Sequence, residues 1–387
     1  MYNTITPINF KGYDVRPLKG FVMSCNPHNI ASEMNHIGQK EGFKVYSFVD
    51  KQLKEEVPPK SKMQTFMWAQ DLWTVANNKL HTFFNNQYSN ELLNIFNLNT
   101  DNLQVNKRKS SWFLKEIAKN NGNATSALDK SHIPGGNFYV VKNHEKEDEL
   151  LIGKDELAKY NLDEIKEIFN TKKVTVLPFM DYHIDLFVRP LENKVILLTD
   201  DNLSLKALRN GHKKISEFIK QLSDKQEILK YSNSMKKFSS YINKFEKQIS
   251  ANEYATTAET EKTLVDSGYK VIRVPGRLYE LSKDAGEQGS FLECDCNYIN
   301  ANVVKNKKGE LVYITNKSNI DSETLGLTEE MNEKCGFSFE NAFKDSISDY
   351  INQDNIYFIK GEDDFVAKTM LKKLQGGIHC LCAEVPE

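Results

Sequence analysis

The segment at 375–386 opens with two glycines and carries a cysteine. Gly376 and Gly377 precede Ile378, His379 and Cys380, and the apolar residues here favour a strand. Glycine lets a backbone approach a ligand with no side chain in between, so Cys380 could present its sulfur to a pocket. The alternative is a buried strand in which the cysteine is only a small hydrophobic side chain. The choice between these two interpretations of Cys380 depends on the other polar residues of the chain.

Two upstream motifs place acidic residues in largely apolar segments, where a buried carboxylate must have a partner. Asp71 follows Trp68 and Gln70 in an aromatic run, and burying a carboxylate there is costly unless it is paired. His183 and Asp185 lie two residues apart in a segment expected to be a strand, which would point both side chains the same way. Taken singly, Asp71 could be a structural cap and His183 a hydrogen-bonded core histidine.

A third motif is the run Gly135, Gly136 and Asn137, which follows a proline. This composition predicts a turn into the next strand, and such a run is more often only a turn than a binding loop. Tyr298, Asn300 and Asn302 alternate along another expected strand and are weaker candidates for lining a pocket.

The candidate residues restrict the possible chemistry. A zinc hydrolase needs histidine and cysteine ligands at short, paired spacings, which the sequence lacks. A papain-like protease has its cysteine early and its histidine late, and the order here is reversed. A cysteine that attacks a cationic carbon, with acids binding the cation, uses every member of the set.

Composition sets the broad class of the protein. The chain has 387 residues, enough for a sizeable core, and a formal net charge of only -2, so neither nucleic acid nor a membrane is an expected partner. Six cysteines are too few for a disulfide framework, and the pairs Cys294/Cys296 and Cys380/Cys382 lack metal-site or redox spacing. The start shows no signal-peptide pattern. We expect a cytoplasmic protein, while export without an N-terminal signal stays open.

Hydrophobic patterning predicts short strands that alternate with helices. Strands are expected at 20–25, 43–49, 63–75, 138–142, 174–179, 183–190, 194–199, 270–275, 297–304, 311–315 and 356–359. Helices are expected at 110–120, 155–171, 211–250, 258–267 and 339–351. Strand, helix and strand repeat without a Pro-rich or low-complexity linker, which favours a single α/β domain over residues 1–387 built from ββαβ-like units. The lysine-rich stretch 211–252 is a predicted helical insertion within it.

The order of the motifs W-x-Q-D, G-G-N, H-x-D and G-x-x-H-C resembles the guanidine-modifying pentein superfamily. The resemblance is strongest to the catalytic domain of peptidylarginine deiminases and runs from about Trp68 to Pro386 in element order. It implies a pentein-type five-bladed α/β propeller, with the helical insertion where the family has one. It also implies that Trp68, Gln70, Asp71 and Asn137 bind substrate and that no cofactor is needed.

Two departures bear on the expected substrate and on calcium. Leu72 and Trp73 follow Asp71, whereas the animal deiminases place calcium-binding acids there, so a metal-independent enzyme is expected. The ending from Cys380 to Pro386 is closer to the agmatine deiminases, but those enzymes have arginine where Gln70 stands.

The resemblance implies an arginine-deiminase-type hydrolase. Asp71 and Asp185 would bind a guanidinium, Cys380 would attack its central carbon, and His183 would serve as acid and then as base. The favoured substrate is protein-bound arginine, which would become citrulline. The alternatives are a small-guanidine (agmatine or arginine) deiminase, an amidinotransferase, and a non-catalytic pentein that binds proteins.

Overall fold

The computed structural model describes most of the chain. Its described residues are 14–15, 17–24, 26–47, 68–82, 87–105, 133, 135–142, 147–178, 183–251, 257–281, 292–374 and 376–387. The expected helix at 110–120 lies outside these residues.

Strands make up the framework of the described part. They are β1 (Asp14–Val15), β2 (Leu18–Met23), β3 (Lys44–Ser47), β4 (Trp73–Ala76), β5 (Lys79–Thr82), β6 (Leu103–Val105), β7 (Phe138–Lys142), β8 (Asp148–Gly153), β9 (Val174–Leu177), β10 (Val188–Pro190), β11 (Val195–Thr199), β12 (Lys270–Val274), β13 (Arg277–Leu281), β14 (Leu292–Asn297), β15 (Asn302–Lys305), β16 (Leu311–Asn316), β17 (Ile356–Ile359) and β18 (Cys382–Pro386).

Helices connect these strands. They are α1 (Ile30–Glu41), α2 (Ala69–Leu72), α3 (Gln87–Ile95), α4 (Leu162–Phe169), α5 (Asp201–Ile219), α6 (Lys225–Ala251), α7 (Thr257–Asp266), α8 (Glu329–Cys335) and α9 (Phe339–Ile347). The chain also forms short helical turns, among them Gly135–Asn137 and Ile184–Leu186.

Five sheets share one plan, in which an antiparallel pair is extended by a parallel strand. Their orders are β18-β2-β3, β4-β5-β6, β7-β8-β9, β10-β11-β12 and β15-β16-β17, with β1 added beside β7 and β13-β14 as a separate hairpin. Each parallel pair is joined through at least one helix, as a parallel connection requires. The predicted mixed α/β class is therefore confirmed. The arrangement of the sheets as a five-bladed propeller stays a prediction.

Local sequence explains why these elements form where they do. β11 reads VILLT and is buried along its whole length, as expected for the central strand of a sheet with a parallel partner. Helix α4 begins at a capping box, in which Asn161 accepts from the backbone of Glu164 and the Glu164 side chain accepts from the backbone of Asn161. Helix α5 begins where the Asp200 carboxylate accepts two backbone N–H groups.

The structure corrects three expected elements near the candidate site. In the described part of the expected strand 63–75, residues 69–72 form helix α2 and only Trp73–Ala76 is extended. The expected strand 183–190 is a helical turn at Ile184–Leu186 followed by the short β10. Cys380 lies in a turn just before β18 rather than within a strand.

The lysine-rich stretch consists of two helices, α5 and α6, and begins before residue 211. Gly211 in α5 faces the ring of Phe337, and a Cβ at Gly211 would lie 2.3 Å from that ring. Phe238 of α6 also contacts Phe337. These contacts bind the two helices to the main core.

Within the described residues, no helix is both long and apolar enough to cross a membrane.

Replacing Phe343 tests the main core. Phe343 in α9 is fully buried, with its ring 5.1 Å from that of Tyr298 and 5.7 Å from that of Tyr313. Phe343→Ala should lower the free energy of unfolding by about 3–5 kcal/mol, because it leaves a cavity that the neighbouring rings cannot fill. Leu229→Ala removes a side chain that is 64% exposed and should change it by less than about 0.5 kcal/mol. Urea titrations of both variants measure the difference, and equal effects would contradict this account of the core.

Candidate active site

The segment that carries Cys380 packs so closely against its neighbours that two positions must be glycine. A Cβ at Gly376 would lie 2.4 Å from the ring of Trp68, and a Cβ at Gly377 would lie 2.4 Å from Oδ1 of Asn300. The backbone therefore passes directly beneath both side chains, as expected of glycine at a close approach. Cys380 itself keeps part of its surface exposed.

Asp185 is the centre of the site and is fully buried. Its Oδ2 accepts a hydrogen bond from Asn300 Nδ2 at 2.8 Å, lies 3.0 Å from His379 Nδ1, and is 3.4 Å from the sulfur of Cys380. Its Oδ1 has no hydrogen-bond partner in the described part of the chain. A buried carboxylate oxygen without a donor is unusual in a folded protein and indicates a place for a ligand that donates.

Asp71 supplies a second carboxylate. Helix α2 positions it so that its Oδ1 accepts the backbone N–H of Gly135 at 2.6 Å. The pKa of Asp71 is raised to about 7, mainly because burial disfavours the charged carboxylate. The hydrogen bond from Gly135 opposes this rise, and the negative charge of Asp185 adds to it. Asp71 and Asp185 are thus close enough to interact, and the pair would be stabilised by a cation.

The sulfur of Cys380 shares this electrostatic environment. Burial raises the pKa of the thiol well above its ordinary value, and the nearby charges of Asp185 and Asp71 add to the rise. Hydrogen bonds from Asn300 and from the backbone of Gly377 oppose it. The resting group is therefore a thiol, and a bound cation would favour the thiolate.

His183 joins the same cluster through Gly136. A Cβ at Gly136 would lie 2.5 Å from Nδ1 of His183 and 3.0 and 3.1 Å from the two carboxylate oxygens of Asp185. Both side chains therefore face one point. His183 is extended and directly precedes the helical turn, and Asp185 lies within that turn, in place of the strand expected at 183–190. Only glycine at this position leaves room for both.

Asn137 has a different environment from the one expected of a substrate ligand. It is 1% exposed, its Nδ2 donates to the carboxylates of Asp155 and Glu156, and its Oδ1 accepts the backbone N–H of Ile184 at 3.3 Å. These contacts indicate that Asn137 positions the turn that carries Asp185. Binding of substrate by Asn137 stays a prediction.

Trp68 and Gln70 connect helix α2 to the turn that carries the cysteine. The backbone N–H of Gln70 donates to the carbonyl of Cys380 at 3.3 Å, and its Nε2 lies 3.1 Å from Nδ1 of His379. The Oε1 of Gln70 has no partner within the described residues. Trp68 covers Gly376 as described above. Direct contact of either side chain with a substrate stays a prediction.

Sequence reasoning gave too little weight to two residues of this cluster. His379 was noted only as part of a motif, yet it is 1% exposed and contacts Asp185. Asn300 was only one of three candidates on an expected strand, and it contacts both Asp185 and Cys380. The other two differ: Tyr298 pairs with Ser318 in the core, and Asn302 donates to a backbone carbonyl. Polar residues amid a hydrophobic run were the available signal.

A buried ion pair is connected to His379 through the ring of Tyr139. Arg189, which is fully buried, donates to Glu384 at 3.2 Å, and its guanidinium lies 5.2 Å from the centroid of the Tyr139 ring. That ring lies 5.1 Å from the ring of His379. The arrangement fixes His379 against Asp185 through packing.

The described residues contain no cluster of three or more histidine, cysteine, aspartate or glutamate side chains that could hold a metal ion. The site offers two carboxylates for a cation, a sulfur nucleophile beside them, and an imidazole that can carry a proton.

No protein-family model and no curated protein matches the sequence. Among solved structures, C. jejuni agmatine deiminase matches over 99% of each chain, with 13% sequence identity and a TM-score of 0.46.

The titration of Asp71 predicts how cation binding depends on pH. Below about pH 7 the Asp71 carboxyl is protonated and neutral, and above it the carboxylate is charged. The affinity for a guanidinium cation should therefore rise between pH 5 and pH 8, by up to about tenfold per unit below the pKa. Calorimetry on a Cys380→Ser variant with guanidinium as the ligand measures this. The variant that also carries Asp71→Asn should lose most of the rise, and an unchanged profile would contradict the assignment.

Proposed function

We propose that the protein is a cysteine-dependent guanidine hydrolase, which converts a guanidino group to a ureido group and releases ammonia. The observation that carries this proposal is the buried Asp185. One of its oxygens has no donor, while the other lies 3.4 Å from the sulfur of Cys380. A group that donates several hydrogen bonds, carries positive charge and has an electrophilic carbon fits this arrangement, and a guanidinium has all three properties.

Substrate binding would neutralise the site. The N–H groups of the guanidinium would donate to Asp71 and Asp185, in the charge-assisted geometry that carboxylates and guanidinium groups prefer. The cation would also offset the negative charges that raise the pKa of Cys380. Binding would thus help to produce the thiolate that the reaction needs.

The chemical steps would then follow in two halves. The Cys380 thiolate attacks the central carbon, the C–N bond to one amino group breaks, and ammonia leaves with a proton from His183. Water then attacks the resulting thiouronium carbon and gives a proton to His183. The C–S bond then breaks and the second proton of the water passes to the solvent, where it protonates the released ammonia. The products are the neutral ureido compound and the restored thiolate. A histidine that acts first as an acid and then as a base is common in such covalent mechanisms.

We further propose a small guanidine, such as agmatine or free arginine, as the substrate. The sequence ending G-G-I-H-C with Pro386 shortly after it supports this choice through its resemblance to agmatine deiminases. The favoured expectation from sequence, protein-bound arginine, gains no support from the comparisons. It remains an outcome that the substrate assay below can reveal.

For the fold, we propose a single pentein-type domain in which α5 and α6 are the helical insertion. The shared strand plan of the five sheets supports this. The pairing of β18 with β2 also supports it, because it joins the last strand to a sheet that begins near residue 18. A crystal structure in which the sheets fail to surround a common axis would contradict the proposal.

An assay of several guanidines tests the reaction and its substrate together. Agmatine, free arginine and a blocked arginine peptide are incubated with the protein, and the ureido product and ammonia are both measured. A small guanidine should be turned over with a kcat/KM at least about tenfold above that of the peptide, and EGTA should leave the rate unchanged. Preference for the peptide would overturn the substrate proposal. Product formation only when an amine acceptor is added would indicate amidino transfer.

Substitutions at the site test the assigned roles. Cys380→Ser should abolish turnover, whereas Cys382→Ser should keep it, because Cys382 is fully buried with its sulfur against Met34. Asp185→Asn should cost about 3 kcal/mol or more in kcat/KM, since a bound cation loses a buried charged partner. Steady-state kinetics on folded variants provide the measurement. An active Cys380→Ser protein beside an inactive Cys382→Ser protein would exclude this nucleophile.

A further inference from the structure

Four buried asparagines surround the turn that carries the nucleophile. They are Asn297, Asn300, Asn302 and Asn316, each with no exposed surface. Burying an amide side chain is costly unless its donors and acceptors are satisfied. Four such residues at one place therefore indicate a specific structural or chemical task.

Three of these asparagines hold backbone groups around the site, and one of them, Asn302, also hydrogen-bonds to the side chain of Cys382. Asn297 donates to the carbonyl of Leu186, next to Asp185 in sequence. Asn316 donates to the carbonyl of Asn300 and accepts the backbone N–H of Ile378. Asn302 donates to the carbonyl of Ile378. Together these contacts tie the turn before β18 to the turn that carries Asp185.

Asn300 differs because it contacts the reacting groups themselves. Its Nδ2 donates to Asp185 Oδ2 at 2.8 Å and to the sulfur of Cys380 at 3.3 Å. Its Oδ1 accepts the backbone N–H of His379 at 3.0 Å. One planar amide therefore bridges the carboxylate, the nucleophile and the backbone that precedes the nucleophile.

The two hydrogen bonds from Asn300 Nδ2 reduce the repulsion between the Asp185 carboxylate and a Cys380 thiolate. Asp185 and a Cys380 thiolate would be two negative charges 3.4 Å apart, measured from Oδ2 to the sulfur, and Asp185 is fully buried. Like charges at such a distance disfavour ionisation of one another. The NH₂ group of an asparagine has two hydrogens and no charge, so it can donate to both at once. A carboxylate at this position would add a third negative charge instead.

We propose that Asn300 is a positioning residue that holds Cys380 and Asp185 together by donating a hydrogen to each, and thereby stabilises the Cys380 thiolate. The inference rests on the proposed function for its effect on turnover. Its effect on the sulfur can be measured without any substrate.

The test is the rate of alkylation of Cys380 by iodoacetamide between pH 7 and pH 10, followed by peptide mass spectrometry to separate it from the other cysteines. Below the pKa of the thiol this rate follows the thiolate fraction. Asn300→Asp removes the two donors and adds a charge, so alkylation should be about tenfold slower or more at each pH. With a substrate, kcat should fall about 100-fold.

Asn302→Asp is the matched control. It makes the same amide-to-carboxyl change at a buried asparagine that holds the same turn but contacts neither Asp185 nor the sulfur of Cys380. Alkylation of Cys380 should follow the wild-type profile in this variant. Equal slowing in Asn300→Asp and Asn302→Asp would show that the asparagines act only on the structure of the turn, and would overturn the proposal.

Two further outcomes must be distinguished: an Asn300→Asp variant that does not fold, and a wild-type protein that turns over no guanidine. If circular dichroism shows that Asn300→Asp is unfolded, Asn300→Ser replaces it, and alkylation as fast as in the wild type would then overturn the proposal. If the wild-type protein turns over no guanidine, the proposed function fails. The difference in alkylation between the Asn300 and Asn302 variants still decides the role of Asn300.

Discussion

Asp185 loses its hydration when the protein folds, and the groups around it must replace the lost water. They do so for one oxygen only, through Asn300, His379 and the thiol of Cys380. The other oxygen has no donor among the described residues. The structure therefore stabilises a carboxylate that is held in place but incompletely satisfied, and a cationic ligand would complete it.

The fold brings together groups that are distant in sequence. Asp71 is carried by a helix before β4, Gly136 by a turn before β7, Asp185 by a turn before β10, and Cys380 by a turn before β18. Each of these segments thus precedes the first strand of one of the repeated sheets. The shared plan of the sheets gives the chain four equivalent places from which to project a side chain, and functional residues on connecting segments of a rigid scaffold are common.

Sequence reasoning proposed four candidate residues that the structure brings close together, but it did not show which neighbours hold them in place. Asp71, His183, Asp185 and Cys380 stand out because acids, histidine and cysteine in apolar surroundings need an explanation. Asn300 could not be assigned in this way, because its partners Asp185 and Cys380 lie 115 and 80 positions away in sequence.

Secondary structure was likewise predicted correctly only where local sequence determines it. β11 was predicted to within one residue, since a continuous hydrophobic run is typical of a buried strand. Residues 69–72 were expected to be extended because aromatic residues favour strands. They are helical in a segment where Gln70 and Asp71 hydrogen-bond to distant backbone and side-chain groups. Such long-range contacts outweigh local propensity and cannot be read from the local sequence.

The pairing of β18 with β2 sets where the turn that carries Cys380 lies relative to its neighbours. Cys382 lies opposite Met23, and the register continues to Pro386, with an irregularity after Val385. A slip of one residue would move the turn before β18 by about 3.3 Å and exchange the two faces of the strand. That displacement is as large as the distance from Cys380 to Asn300. Strand register thus determines whether Cys380 lies beside Asp185 and Asn300, although β2 itself carries none of the candidate site residues.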